Sequence, residues 1–122
     1  MAFRMTTDRN FGDLASGTVL HSAPGFPAFP VRLAQEMFLR SMSFLEQDTA
    51  TLWDPCCGSG YMATVLGVLN RDRIREVVCS DVSKDALQLA RKNLRLLTLD
   101  GLAERAATLR RRAAEFDKPG YH

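Results

Sequence analysis

The sequence predicts an α/β fold built on two parallel strands with flanking helices. Two short apolar runs, Thr51-Leu52-Trp53 and Glu76 to Ser80, each lead into an aspartate, Asp54 and Asp81. A glycine turn, Gly58-Ser59-Gly60, follows the first run, and helical periodicity fills the stretches around both. The order helix, strand, helix, strand, helix predicts a parallel pair joined by a right-handed crossover.

Each element follows from local chemistry. Residues 1–20 carry weak signals. Between His21 and Pro30, three prolines fix their own φ and restrict their predecessors, so that stretch is expected to be irregular. Pro30 suits a helix start. From Val31 the apolar residues Leu33, Ala34, Met37, Phe38, Met42 and Leu45 recur at three and four, which predicts a helix with one buried face to about Leu45. Tyr61 to Leu69 reads as a second helix. Ser83 caps a third, with Leu87, Ala90, Leu94 and Leu97 on its buried face and Lys84, Gln88, Arg91 and Arg95 on its wet one. After an expected turn at Asp100-Gly101, the stripe Leu102, Ala106, Leu109, Ala113 and Phe116 predicts a fourth helix, which Lys118-Pro119-Gly120 breaks.

At 122 residues and 46% hydrophobic content, the chain fits one domain and not a disordered segment. Sixteen Lys plus Arg against fourteen Asp plus Glu leave a net charge of +2, too little to argue by itself for nucleic acid. No apolar run is long enough to span a bilayer, and the charges among the first twenty residues do not fit a signal peptide. Three cysteines, with Cys56 and Cys57 adjacent, make no disulfide framework. A cytoplasmic protein without a membrane partner is expected.

A glycine turn between strand and helix lets the backbone approach a ligand closely and aims helix N-terminal N–H groups at it, the Rossmann-like arrangement. The Gly-x-Gly spacing lacks the third glycine of the dinucleotide fingerprint, and an acid, Asp54, ends the strand. That combination favours S-adenosylmethionine over a nicotinamide cofactor. Asp54 is expected near the methionine end. Asp81, 21 positions beyond Gly60 and at the tip of the next strand, is expected on the ribose hydroxyls. The candidate cofactor-binding residues are Asp54, Pro55, Cys56, Gly58, Ser59, Gly60, Tyr61, Asp81 and Val82.

Structural alternatives stand beside these readings. The glycines also suit a plain tight turn, and Asp81 suits a turn residue ahead of the Ser83 cap. Cys56 and Cys57 read as small loop residues; with His21 and His122 remote in sequence, no metal site is expected. Trp53 reads as core packing. Arg105 and Arg112 are seven apart and share a helix face, with Arg111 near it. Such a face suits phosphate binding, although a solvated surface is the favoured reading.

Taken together, these residues resemble the AviRa-type 23S ribosomal RNA methyltransferases, which confer avilamycin resistance by methylating a guanine. Leu20 to Ala34 is similar to the segment before the family's first strand, and Leu52 to Tyr61, with its double cysteine, is similar to its cofactor loop. Ser80-Asp81-Val82, Lys92-Asn93-Leu94 and Lys118-Pro119-Gly120-Tyr121 also match. The resemblance implies a Rossmann-like class I methyltransferase fold, with this chain as the N-terminal part of a single domain. Residues 1–29 are then an irregular lead, and 30–122 a helix plus the cofactor-binding βαβα unit. It also implies S-adenosyl-L-methionine as cofactor and ribosomal RNA as partner.

The resemblance covers nearly all of this chain but about half of a family member. The family's acceptor motif, an acidic-Leu/Pro-Pro-Tyr segment after its fourth strand, is matched only superficially by Asp117 to Tyr121. No catalytic residue is therefore assigned. Two strands make no independently stable sheet, so the chain is expected to be a truncated product or to complete its sheet with another copy through an unpaired edge. The competing readings are a remnant that binds cofactor or a partner protein without methyl transfer, and a nicotinamide-binding module.

Overall fold

The N-terminal lead holds one short helical turn, α1 (Gly12–Ala15), where Asn10 Oδ1 accepts the Gly12 N–H at 2.8 Å. The computed structural model describes residues 3–7, 10–15, 19–26 and 29–116. Pro27 and Ala28 of the proline-rich stretch and the closing residues 117–122, including Lys118-Pro119-Gly120-Tyr121, lie outside the described residues.

Pro30 opens α2 (Val31–Met42), which ends three residues before the expected Leu45. Beyond Met42, the Ser43 hydroxyl donates to the Arg40 carbonyl at 2.6 Å, a local bond that competes with continuing the helix. Met37 and Leu45 are exposed; the buried face is Val31, Ala34, Phe38 and Met42, together with Glu36. The Glu36 carboxylate, 0% exposed, accepts the Met5 and Thr6 N–H groups at 2.8 and 2.9 Å and the Arg40 Nε–H at 2.7 Å. It fastens the lead to α2.

Strand β1 (Ala50–Asp54) pairs in parallel with β2 (Ile74–Cys79), which begins two residues earlier than expected. Leu52 stands opposite Val77, Trp53 opposite Val78 and Asp54 opposite Cys79. Between the strands, α3 (Tyr61–Leu69) is buried along almost its whole length, as a crossover helix packed on several sides must be. It joins two apolar clusters. Leu20, Val31, Tyr61, Val65 and Leu96 form one, and Ala34, Phe38, Met42 and Leu66 the other, with Leu52 and Ile74 packed against the second.

The Ser83 hydroxyl accepts the Ala86 N–H at 3.2 Å and caps α4 (Lys84–Leu94) as its sequence indicates. Its fully buried residues are Ala86, Ala90 and Asn93, whereas Leu87, Leu94 and Leu97 are half-buried. A short 3₁₀ turn, Arg95–Leu97, leads into α5 (Leu99–Phe116). The turn expected at Asp100-Gly101 is instead the first turn of α5. Thr98 Oγ1 accepts the Gly101 N–H at 3.0 Å, and a Cβ at 101 would collide with the Arg95 carbonyl, so glycine here serves close packing.

Trp53 is not core. It is 63% exposed, and its Nε1–H donates to Ser80 Oγ at 3.1 Å. Exposure alternates along β1, because helices cover one face of the sheet and no described residue seals the other. The Trp53–Val78 pair lies on that open face. Among the described residues, no helix is long and apolar enough to cross a membrane.

Candidate functional site

The two strand tips are fastened together beyond the formal sheet. The Ser80 N–H donates to the Asp54 carbonyl and the Cys57 N–H to the Ser80 carbonyl, both at 3.0 Å. The Asp54 side chain accepts the Cys56 N–H at 3.3 Å, and the Ser80 hydroxyl donates to the Pro55 carbonyl at 3.1 Å. The loop after β1 is thereby pinned where the crevice of an open α/β sheet receives its ligand.

The two glycines do different work. Gly58 has φ +54°, and a Cβ there would meet no protein atom within 4 Å. Gly60 has φ +70°, and its Cβ would stand 3.0 Å from the Ala90 Cβ and 3.1 Å from the Ala90 Cα. Gly60 thus lets α4 close against the start of α3, while Gly58 leaves the loop open to a ligand.

Asp81 grips this loop: Oδ2 accepts the Gly58 N–H and Oδ1 the Ser83 N–H, each at 2.9 Å. Hydrogen bonds from Ser83 and Gly58 hold the carboxyl below its ordinary 3.8, so it is ionised at neutral pH. An ionised carboxylate has about four acceptor sites, and the bonds from Gly58 and Ser83, with a further contribution from the Val82 N–H, use only part of that capacity. Val82, beside it, is fully exposed.

A cavity of about 340 Å³ opens in front of the loop, lined by Phe26, Phe29, Asp54, Cys56, Gly58 and Met62, with Ser59 and Tyr61 among its walls. Tyr61 is buried and its hydroxyl donates to the Leu14 carbonyl, so its ring is a wall and its polar atom is already used. A hollow of similar size, about 350 Å³, lies around Gly67, Arg71, Arg75 and Leu97. It includes Ile74, the first residue of β2, and so sits at the opposite end from the strand tips. Burial pushes the Cys79 thiol up to about 12 and raises that of Cys57, which leaves neither as a thiolate nucleophile.

The structure brings Asp54, Pro55, Cys56, Gly58, Ser59, Gly60 and Tyr61 around one loop, with Asp81 and Val82 at the neighbouring strand tip. Asp54 lines the cavity, whereas Asp81 holds the loop from the side. Asn93, which the sequence offers within the matching Lys92-Asn93-Leu94 stretch but without a role, is 0% exposed. Its Nδ2 donates to the Ser59 carbonyl at 2.9 Å and the His21 carbonyl at 3.0 Å, and its Oδ1 accepts the His21 N–H at 2.6 Å. The available signal was a polar residue in helical register with Ala86 and Ala90.

The family model for the rRNA methyltransferase AviRa matches residues 1–122. The chain belongs to the AviRa family. A curated AviRa relative, the 23S rRNA (guanine(2535)-N(1))-methyltransferase of Streptomyces viridochromogenes, is 53% identical over 122 residues, covering 98% of this chain and 49% of its own length. Two solved structures of the AviRa rRNA methyltransferase from the same organism, at 1.5 and 2.4 Å, superpose with TM-scores of 0.90 at 53% identity. Each covers 99% of this chain and 49% of its own. The chain thus spans about half the length of the AviRa relatives it matches, and it has the methyltransferase α/β architecture in part.

Proposed function

We propose that the strand-tip loop holds S-adenosyl-L-methionine and that residues 30–122 supply the cofactor-binding βαβα unit of a methyltransferase acting on a guanine of 23S ribosomal RNA, in the cytoplasm. The observation that carries this reading is the Asp81–Gly58 bond. It fixes a glycine that leaves open space and sets, at the strand tip beside the crevice, an ionised carboxylate with remaining acceptor positions. Ribose hydroxyls suit those positions. Asp54, Pro55 and Cys56 stand on the methionine side, Gly58, Ser59, Gly60 and Tyr61 shape the loop, and Val82 covers the adenine side. When bound, the cofactor supplies an electrophilic methyl group. This chain's own residues orient it and, through Phe26 and Phe29, shield one side from water. Positioning the acceptor in line with the methyl group is the main remaining requirement. The incomplete glycine fingerprint speaks against a nicotinamide cofactor.

Calorimetric titration with S-adenosylhomocysteine tests the reading, with one-site saturable binding expected. Asp81→Ala should weaken that binding by about tenfold or more while the protein stays folded by circular dichroism. Unchanged affinity in the folded variant removes the ribose role.

The exposed Trp53–Val78 pair favours a second reading, in which further polypeptide covers the open sheet face, while the edges left unpaired among the described residues offer a separate route to self-association. The catalytically incomplete, cofactor- or partner-binding form belongs with it. Light scattering after size exclusion distinguishes a stable monomer from a dimer.

A further inference from the structure

A second concavity, of about 370 Å³, lies between His21, the C-terminal end of α4 and the face of α5 that runs from Gly101 to Arg112. Its charged lining is Lys92, Arg95, Arg105 and Arg112 against the single carboxylate of Glu104. Glu104 is already engaged, since both its oxygens accept from Arg95 at 3.0–3.1 Å. Cationic charge therefore remains in excess in the groove, with Lys92 and Arg112 at its exposed rim.

This lining is held by backbone bonds. Arg105 is 8% exposed, and its Nε–H donates to the Val19 carbonyl at 2.8 Å, which fixes its guanidinium beside the groove. Asn93 clamps the His21 backbone on both its N–H and its carbonyl. Burial, then Arg105, Lys92 and Arg112, hold the imidazole below its ordinary 6.5, so His21 is neutral at pH 7 with one N–H to donate. Lys92 and Arg112 are exposed, with charged ends that can meet a ligand from solvent.

We infer that this groove binds a phosphate of the RNA backbone, with Lys92 and Arg112 as the charged contacts. An open, solvent-facing groove suits a phosphodiester chain passing through better than a small enclosed anion. The same Asn93 that clamps His21 also holds the Ser59 carbonyl of the cofactor loop, so one buried side chain ties a wall of the groove to that loop. The inference rests on the reading of RNA as acceptor.

The test is fluorescence anisotropy of the full chain with a labelled 23S rRNA hairpin across a salt series, comparing wild type, Lys92→Gln/Arg112→Gln and a control pair, Arg71→Gln/Arg75→Gln, at the far end of the sheet. The groove variant should lose about tenfold or more in affinity and lower the salt slope by about 1 per lost contact, with the control within about twofold of wild type. Retained S-adenosylhomocysteine binding shows that the groove variant is folded. Equal RNA affinity in all three proteins, or equal loss in both variants, overturns the groove while leaving the acceptor reading intact. A wild-type chain that binds cofactor but no RNA overturns both. A His21 NMR response to inorganic phosphate without RNA binding also overturns the assignment, leaving only an anion site.

Discussion

The strand-tip loop and helix α5 are both rich in signals at the sequence level, yet they are held by opposite means. The loop is tied by directed polar bonds, locally from Asp54 to Cys56, Asp81 to Ser83 and Ser83 to Ala86, and across 23 positions from Asp81 to Gly58. Helix α5 carries an apolar stripe that leaves Leu102 and Phe116 exposed, while its buried residues are Gly101 and Arg105. A directed polar bond needs only its two partners, but an apolar stripe is buried only where another surface covers it. The difference predicts which substitutions each region tolerates.

The largest effect belongs to the loop. Gly60→Val places a branched side chain at φ +70°, with its Cβ 3.0 Å from Ala90. Left-handed strain and overpacking together should cost about 3 kcal/mol in urea unfolding. Gly58→Ala meets no protein atom and should cost about 1 kcal/mol, yet it fills the space reserved for the ligand and should weaken S-adenosylhomocysteine binding. If both glycines prove equally damaging to stability, the division between a packing glycine and a ligand glycine is wrong.

This contrast also explains how much was legible. The strand–glycine–helix order, the Ser83 cap and the span of α3 follow from turn chemistry and periodicity, and the structure has all of them. Trp53 reads as core packing from its place inside a strand, but the described residues cover only one face of the sheet and leave it on the other. Glu36 and Asn93 were illegible for a related reason. Each is a buried polar side chain satisfied by backbone groups 30 or more positions away, which no local pattern announces. Of the candidate site, the acids and glycines were readable from spacing, whereas Phe26, Phe29 and Met62 reach it only through tertiary packing.

A smaller effect tests the α5 side of the comparison. Arg105→Ala strands the Val19 carbonyl and should cost about 1–3 kcal/mol, whereas Phe116→Ala in the same helix should change stability by no more than about 0.5 kcal/mol. An arginine that outweighs a phenylalanine reverses what hydrophobic patterning alone leads one to expect. Should Phe116→Ala be the more damaging change, the stripe is covered in solution and the exposed face of α5 has a partner.

The smallest effect arises where the two regions meet, at His21, bonded through Asn93 to the loop and facing Arg105, Lys92 and Arg112. Burial and those cations make the folded protein bind the His21 proton less readily than the unfolded chain does. Below the ordinary 6.5 the unfolded state therefore carries more protons, and stability falls as the pH drops through that value. Asp81 is held below 3.8 and Glu36 at about 2, the latter because bonds from Arg40, Met5 and Thr6 outweigh its burial. Both stay ionised through the window and do not contribute to the slope. The melting temperature of the wild type should accordingly decline from about pH 7.5 to 5.5 more steeply than that of His21→Gln, with His122 common to both proteins. Parallel curves would mean that the imidazole does not feel the cationic groove, and the electrostatic link between the loop and α5 would be lost.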